Sequence, residues 1–240
     1  MWFDQADYDV RLEWGRAGLH ALLGVTDVFV IVDVLSFSTC VDVATTNGAL
    51  VFPFAETGHA AQSFADRIDA VCAGRRGEAR YSLSPRTFAS VPCGARIVLP
   101  SPNGATLSLG TEQVTTLAGC LRNATTVGRA AQVLGKRITV IAAGERWPDG
   151  QLRPAVEDLL GAGAVVSALG GHRSPEAETG QRAFETTAPR LRDTLPGSAS
   201  GRQLVERGFT DDVEIAAIWD VSQCAPMLVD GAYCASVSHR

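Results

Sequence analysis

Three short runs constrain this chain more than anything else in it: VFVIV at 28–32, RIVL at 96–99 and RITVIA at 137–142. Each is far shorter than the ~20 apolar residues that a membrane helix needs. Each ends on small or polar residues: Asp33 after the first, Ser101-Pro102-Asn103-Gly104 after the second, Gly144-Glu145-Arg146 after the third. Buried strands followed by polar turns and helical segments are the pattern of a layered α/β protein.

Extending that reading predicts strands at 28–32, 49–54, 96–99, 115–117, 137–142, 164–166 and 223–229. Helices are expected at 37–46, 59–68, 103–109, 123–134, 155–160, 182–193, 202–206 and 211–218. The charged stretch 73–85 reads as a solvated loop or flap, and 170–179 as a surface connection. A faint echo relates 28–51 to 138–166: strand, polar end, helix, Gly-Ala, strand. SPNGATLSLG (101–110) similarly echoes SASGRQLVERG (198–208). The expected fold is a three-layer α/β/α sandwich with a mixed sheet, one domain spanning 1–240. Its possible half-repeats are 28–130 and 138–235, whose polar strand ends would share one cleft.

Composition narrows function. The net charge of −5 leaves no basic face for nucleic acid. Lys136 is the sole lysine among 21 basic residues, so anion contacts must rely on arginine. No run is long enough to span a membrane and the acidic N-terminus lacks signal-peptide features, so a cytoplasmic protein is expected. The six cysteines are scattered without CxxC, as for reduced thiols, and Cys40 reads as a buried helix residue rather than a nucleophile. A homodimer is the base-rate expectation.

The strand ends carry the candidate chemistry. A carboxylate at the edge of a buried strand is costly unless paired or metal-bound, so Asp33 is either a helix cap or a ligand. Ser36, Ser38 and Thr39 follow in the turn into a helix, where hydroxyls and free N–H groups suit an anion; capping accounts for only one of them. Ser101, Asn103 and Gly104 form a turn that lets backbone approach a ligand closely. Glu145 and Arg146 are either a surface pair or a carboxylate with a planar fork for phosphate. Glu157-Asp158 and Asp211-Asp212 occupy first turns of helices, where acids complement the dipole. Adjacent helical positions point ~100° apart, so at most one of each pair should face a site, and Asp158 and Asp212 are the candidates. Arg202 opens a helix after Ser200-Gly201, where a cation opposes the dipole unless it holds an anion.

VDVLSFST (32–39), SPNG (101–104), LAGCLRNAT (117–125), VIAAGER (140–146) and DGQLRPAVEDLLGAGAVV (149–166) form an ordered set. It continues with SGRQLVERGFTDDVEIAA (200–217) and DVSQCAPML (220–228). Together these segments resemble the 2-phosphosulfolactate phosphatase (ComB-like) family. The resemblance implies a Mg²⁺-dependent phosphatase that releases phosphate from a small anionic 2-phospho-3-sulfo acid on the way to coenzyme M. In the family pattern the position of Ser36 is commonly an arginine, and a GER…G…GNSP stretch stands where this chain has AGRRGEARYSLSP (73–85). Leu83-Ser84-Pro85 keeps the tail of that stretch, and Arg75 or Arg76 could replace the lost charge.

On this reading Asp33 is a metal ligand, with Asp158 and Asp212 or Glu145 assisting. Ser36, Ser38, Thr39, Ser101, Asn103 and Gly104 cradle phosphate, while Arg146 and Arg202 hold substrate anions. The metal would activate water; Asp33 as a covalent nucleophile is the competing mechanism. The alternative function is a diverged, non-catalytic member that binds a phosphorylated acid.

Overall fold

A computed structural model describes residues 2–235. Its framework is a nine-stranded sheet. The first block of strands is β1 (Val10–Trp14), β2 (Val28–Val32), β6 (Thr115–Gly119) and β7 (Ile138–Ala142). These run parallel in the order β1-β7-β2-β6. The second block is β3 (Leu50–Phe54), β4 (Val71–Cys72) and β5 (Arg96–Pro100), also parallel, in the order β3-β5-β4. A hairpin of β10 (Pro226–Val229) and β11 (Ala232–Ala235) joins the blocks through three successive antiparallel pairings. Two residue pairs carry its outer contacts, Met227 with Leu117 and Tyr233 with Val51.

The alternation of β2 side chains builds the layers. Val28, Val30 and Val32 face α5 (Ala124–Leu134) and α6 (Val156–Ser167), with α7 (Pro175–Thr187) packed behind. Phe29 and Ile31 face α1 (Gly15–Leu22) and α4 (Gly104–Gly110). The second block repeats the arrangement. Val51, Ile97 and Leu99 pack on α2 (Phe37–Thr46), and Phe52 and Val98 on α3 (His59–Arg67). This is the expected α/β sandwich. Strand β7 lies between β1 and β2, so the later part of the chain completes the sheet begun by the earlier part.

Several elements depart from expectation. Residues 164–166 lie inside α6, so that segment supplies no second strand to the internal echo. The run is apolar throughout because α6 is buried on nearly every side, which removes the helical period from view. Its Gly163 meets Gly180 of α7 so closely that a Cβ there would lie 2.0 Å from the Gly180 carbonyl oxygen. Helix α7 begins inside the expected surface connection, where Ser174 Oγ accepts from Ala177 N–H and Pro175 takes the first position. It ends at Thr187, and α8 (Leu191–Gly197) follows after a 3₁₀ turn. Strand β1 lies outside the expected set: its VRLEW sequence alternates apolar and charged residues instead of forming a continuous apolar run. Arg11 is nevertheless fully buried. Its Nε donates to Gln5 O at 2.7 Å, and its guanidinium nitrogens donate to Val25 O and Ala6 O. Residues 223–225 precede β10 rather than belonging to it. No helix among the described residues is long and apolar enough to cross a membrane.

Candidate active site

Asp33 sits immediately beyond β2, buried, and its two carboxylate oxygens are divided between two helix starts. Oδ1 accepts from Phe37 N–H of α2 at 3.1 Å, and Oδ2 accepts from Gly104 N–H of α4 at 2.9 Å. Gly104 is required for this approach: a Cβ there would lie 2.4 Å from the Phe37 ring and 2.8 Å from Asp33 Oδ2. The SPNG turn therefore supplies its N–H to Asp33, where a phosphate was the expected acceptor. Burial, then the charge of Glu145, pushes the Asp33 carboxyl up to about 7 despite both N–H bonds.

The neighbouring hydroxyls are engaged with backbone. Ser38 Oγ donates to Ile31 O at 3.0 Å and accepts from Asp33 N–H at 3.1 Å, and Thr39 Oγ1 donates to Val34 O at 2.7 Å. Ser101 Oγ accepts from Asn103 N–H at 3.3 Å. These four bonds shape the turns. Ser36 is different. It makes no cap bond to α2, and its Oγ accepts from Arg76 Nη2 at 2.7 Å.

Asp158, in the first turn of α6, ties two strand ends together. Its Oδ1 accepts from Val34 N–H at 2.7 Å and its Oδ2 from Gly144 N–H at 2.8 Å. Burial and the nearby Asp33 charge drive its carboxyl well above the usual range. Glu157 beside it is 2 % exposed, and its Oε2 has no hydrogen-bond partner. Its charge raises Asp33, Asp158 and Glu145 alike, so it belongs to the same acidic cluster. Both members of the Glu157-Asp158 pair thus face the site, because the first turn of α6 is enclosed by strand ends. Glu145 opens β8 (Glu145–Arg146), which pairs with β9 (Leu152–Arg153). Its Oε2 accepts from Asn103 Nδ2 at 3.0 Å, and burial raises its carboxyl while Asn103 and Arg153 oppose the rise.

A second cluster adjoins the first through Ser36. Arg76 Nη1 reaches Asp212 Oδ2 at 2.5 Å, and Ser84 Oγ donates to Asp212 Oδ1 at 2.5 Å. Asp212 lies in α10 (Thr210–Ala216) and is 2 % exposed against 18 % for Arg76. The stretch 73–85, expected as a flap, thus brings a cation to the turn after β2. It is anchored by stacking of Tyr81 on Phe88 at 5.4 Å.

The remaining expected residues lie outside these clusters. Arg146 is exposed, with weak contacts to Gly150 O and Pro102 O at 3.4 Å each. Arg202, on α9 (Ala199–Glu206), is 69 % exposed and lies 3.9 Å from Glu206. The cation near Glu145 is instead Arg153, whose Nη2 donates to Ser200 Oγ at 2.9 Å. Among the described residues no three acids, histidines or cysteines form a ready metal cage. Asp33, Asp158 and Asp212 do not converge as one: the first two bind backbone N–H groups and the third binds Arg76.

Buried carboxylates at strand ends, with an arginine and hydroxyls beside them, give this α/β sandwich one concentrated polar site. The profile of the family described as 2-phosphosulpholactate phosphatase matches residues 18–231. The chain belongs to that family, and so stands among the phosphatases, hydrolases of phosphate esters. It is 29% identical over 208 residues to the 2-phosphosulfolactate phosphatase of Methanothermobacter thermautotrophicus, covering 84% of this chain and 87% of that protein. A probable 2-phosphosulfolactate phosphatase of Gloeobacter violaceus is 30% identical over 215 residues, covering 85% and 89%.

Proposed function

We propose that the protein is a Mg²⁺-dependent phosphatase that hydrolyses the phosphate monoester of a small 2-phospho acid, 2-phosphosulfolactate or a related 2-phosphocarboxylate. The observation that carries this reading is Asp33, a carboxyl poised near 7 one turn from the Arg76–Ser36 contact. A proton-exchanging group and a fixed cation then flank the same turn.

The residues fit a hard divalent cation. A buried carboxylate oxygen without a donor is costly, and Glu157 Oε2 is one. Mg²⁺ takes one or two protein carboxylates and fills its shell with water and substrate oxygens. Glu157, through its free Oε2, would hold it in place of the Asp33–Asp158–Asp212 set, with water and substrate oxygens filling the shell. When bound it would neutralise phosphate charge and acidify a water molecule.

In the reaction, a water oxygen bonds to phosphorus as the phosphorus–oxygen ester bond breaks. Asp33 takes the proton of the water, and Glu145, also raised by burial, returns one to the leaving oxygen. Arg76 offsets charge on the phosphoryl oxygens, since such transfers depend mainly on positioning and charge neutralisation. Both Asp33 oxygens already accept N–H bonds, which favours proton transfer over covalent attack on phosphorus.

Asp33→Asn should lower Mg²⁺-dependent phosphate release by about 10²–10⁴-fold while the circular dichroism spectrum stays native. Near-normal release would sink the reading. The substrates are 2-phosphorylated acids with Mg²⁺ and then with chelator. A wild-type protein that binds these esters without turnover would be the non-catalytic member instead.

A further inference from the structure

Arg76 also lines a pocket of about 780 Å³, within the range of small-molecule sites. Thr57, His59 and Gln62 at the start of α3 form one wall, and Arg75 and Arg76 form the other. No aspartate or glutamate lines it, in a chain whose net charge is −5. Arg75 is exposed, and among the described residues its guanidinium has no ion pair or hydrogen bond. Arg76, by contrast, is held by Asp212 and Ser36. The α3 cap residue Gly58 offers no side-chain acceptor, so the first N–H groups of that helix have no protein cap. The pocket thus shares one wall with the proposed phosphate position and carries a second cation with nothing to bind.

We propose that this pocket holds the non-reacting acidic end of the substrate, a carboxylate or sulfonate carried beyond the esterified carbon, and that Arg75 selects for it. The identity of the ester rests on the phosphatase reading above; the acid preference rests on the pocket itself. The two arginines have separate tasks. Arg76 is fixed in place and serves the phosphoryl group. Arg75 is free to form a bidentate pair with a planar carboxylate or a sulfonate.

The test has two arms. In the first, kcat/KM is measured for 2-phospholactate and for 2-phosphomalate, which adds a distal carboxylate. The ratio of the second to the first should fall about tenfold or more in Arg75→Ala, through KM, and should hold in Arg129→Ala, an exposed control on α5. An unchanged ratio, or an equal fall in the control, would overturn the proposal. The second arm needs no turnover: binding of 3-sulfopropanoate by calorimetry, with propanoate as the control. Wild type should bind the sulfonate, and Arg75→Ala about tenfold more weakly. Equal affinity in the two proteins, or no binding by wild type, would overturn the pocket. Failure of wild type to hydrolyse any ester would remove the phosphatase reading, while the binding arm still decides this one.

Discussion

Asp27 shows what a single carboxylate contributes where no catalysis is involved. Its Oδ2 accepts from the backbone N–H groups of Lys136 and Arg137, and its Oδ1 from the Arg137 guanidinium at 2.5 Å. The Arg137 side chain first, then these N–H bonds, hold its carboxyl down at about 2. Because the folded value lies below the unfolded one of about 3.9, the contribution is complete above pH 4. It is lost as pH falls through 2. Asp27→Asn should therefore lower the melting temperature at pH 7 and flatten the stability slope between pH 4 and 2. Arg137 is half exposed, so solvent screening limits the cost to about 1 kcal/mol. An unchanged slope in acid unfolding curves would remove this pair from the account. Asp33 and Asp158 reverse the pattern: they also accept two backbone N–H bonds each, yet burial wins and their carboxyls rise.

Among the elements, the start of α4 is the most exacting. Gly104→Ala would force a methyl group against Phe37 and Asp33, and inserting such a group into a packed site costs about 1–3 kcal/mol. The variant should lose stability by that amount in urea titration. It should lose phosphate release by more, because Asp33 moves with the turn. Full activity at reduced stability would separate the turn from the chemistry. The same element explains how legible the site was. Asp33 could be singled out because a carboxylate ends an all-apolar run. The partners of Gly104 could not, since an N–H aimed at a phosphate and one aimed at Asp33 arise from the same SPNG letters. Arg76 lies in a charged loop whose sequence resembles any solvated turn, so only its path towards Asp212 distinguishes it from Arg75. Helical geometry favours Asp158 over Glu157, yet burial on both sides of the turn brings both inward.

At the scale of the molecule, the β10–β11 hairpin holds two parallel blocks in one sheet. Tyr233 is its main anchor, fully buried, with its hydroxyl 2.7 Å from Ser108 Oγ and its ring edge-on to Phe37 at 6.2 Å. Removing the chain after Ser222 should therefore expose both block edges and abolish the single cooperative unfolding transition. Circular dichroism and tryptophan fluorescence in urea would then trace different midpoints. Coincident transitions at the wild-type midpoint would show that the blocks hold together without the hairpin.

Local patterns determined β2, β3, β5 and β7 to within one residue, because short apolar runs between turn signals leave a buried strand few alternatives; they also placed α2, and β6 runs two residues past its expected end. They also determined that carboxylates and hydroxyls would gather at the strand ends. Tertiary structure alone decided that α6 is a helix through residues 164–166, since burial on all sides erases the period that identifies one. It also decided which carboxylates hold backbone and which are left without a donor. That choice depends on where the N–H groups of other elements arrive, and they come from residues 71 and 124 positions away in the chain.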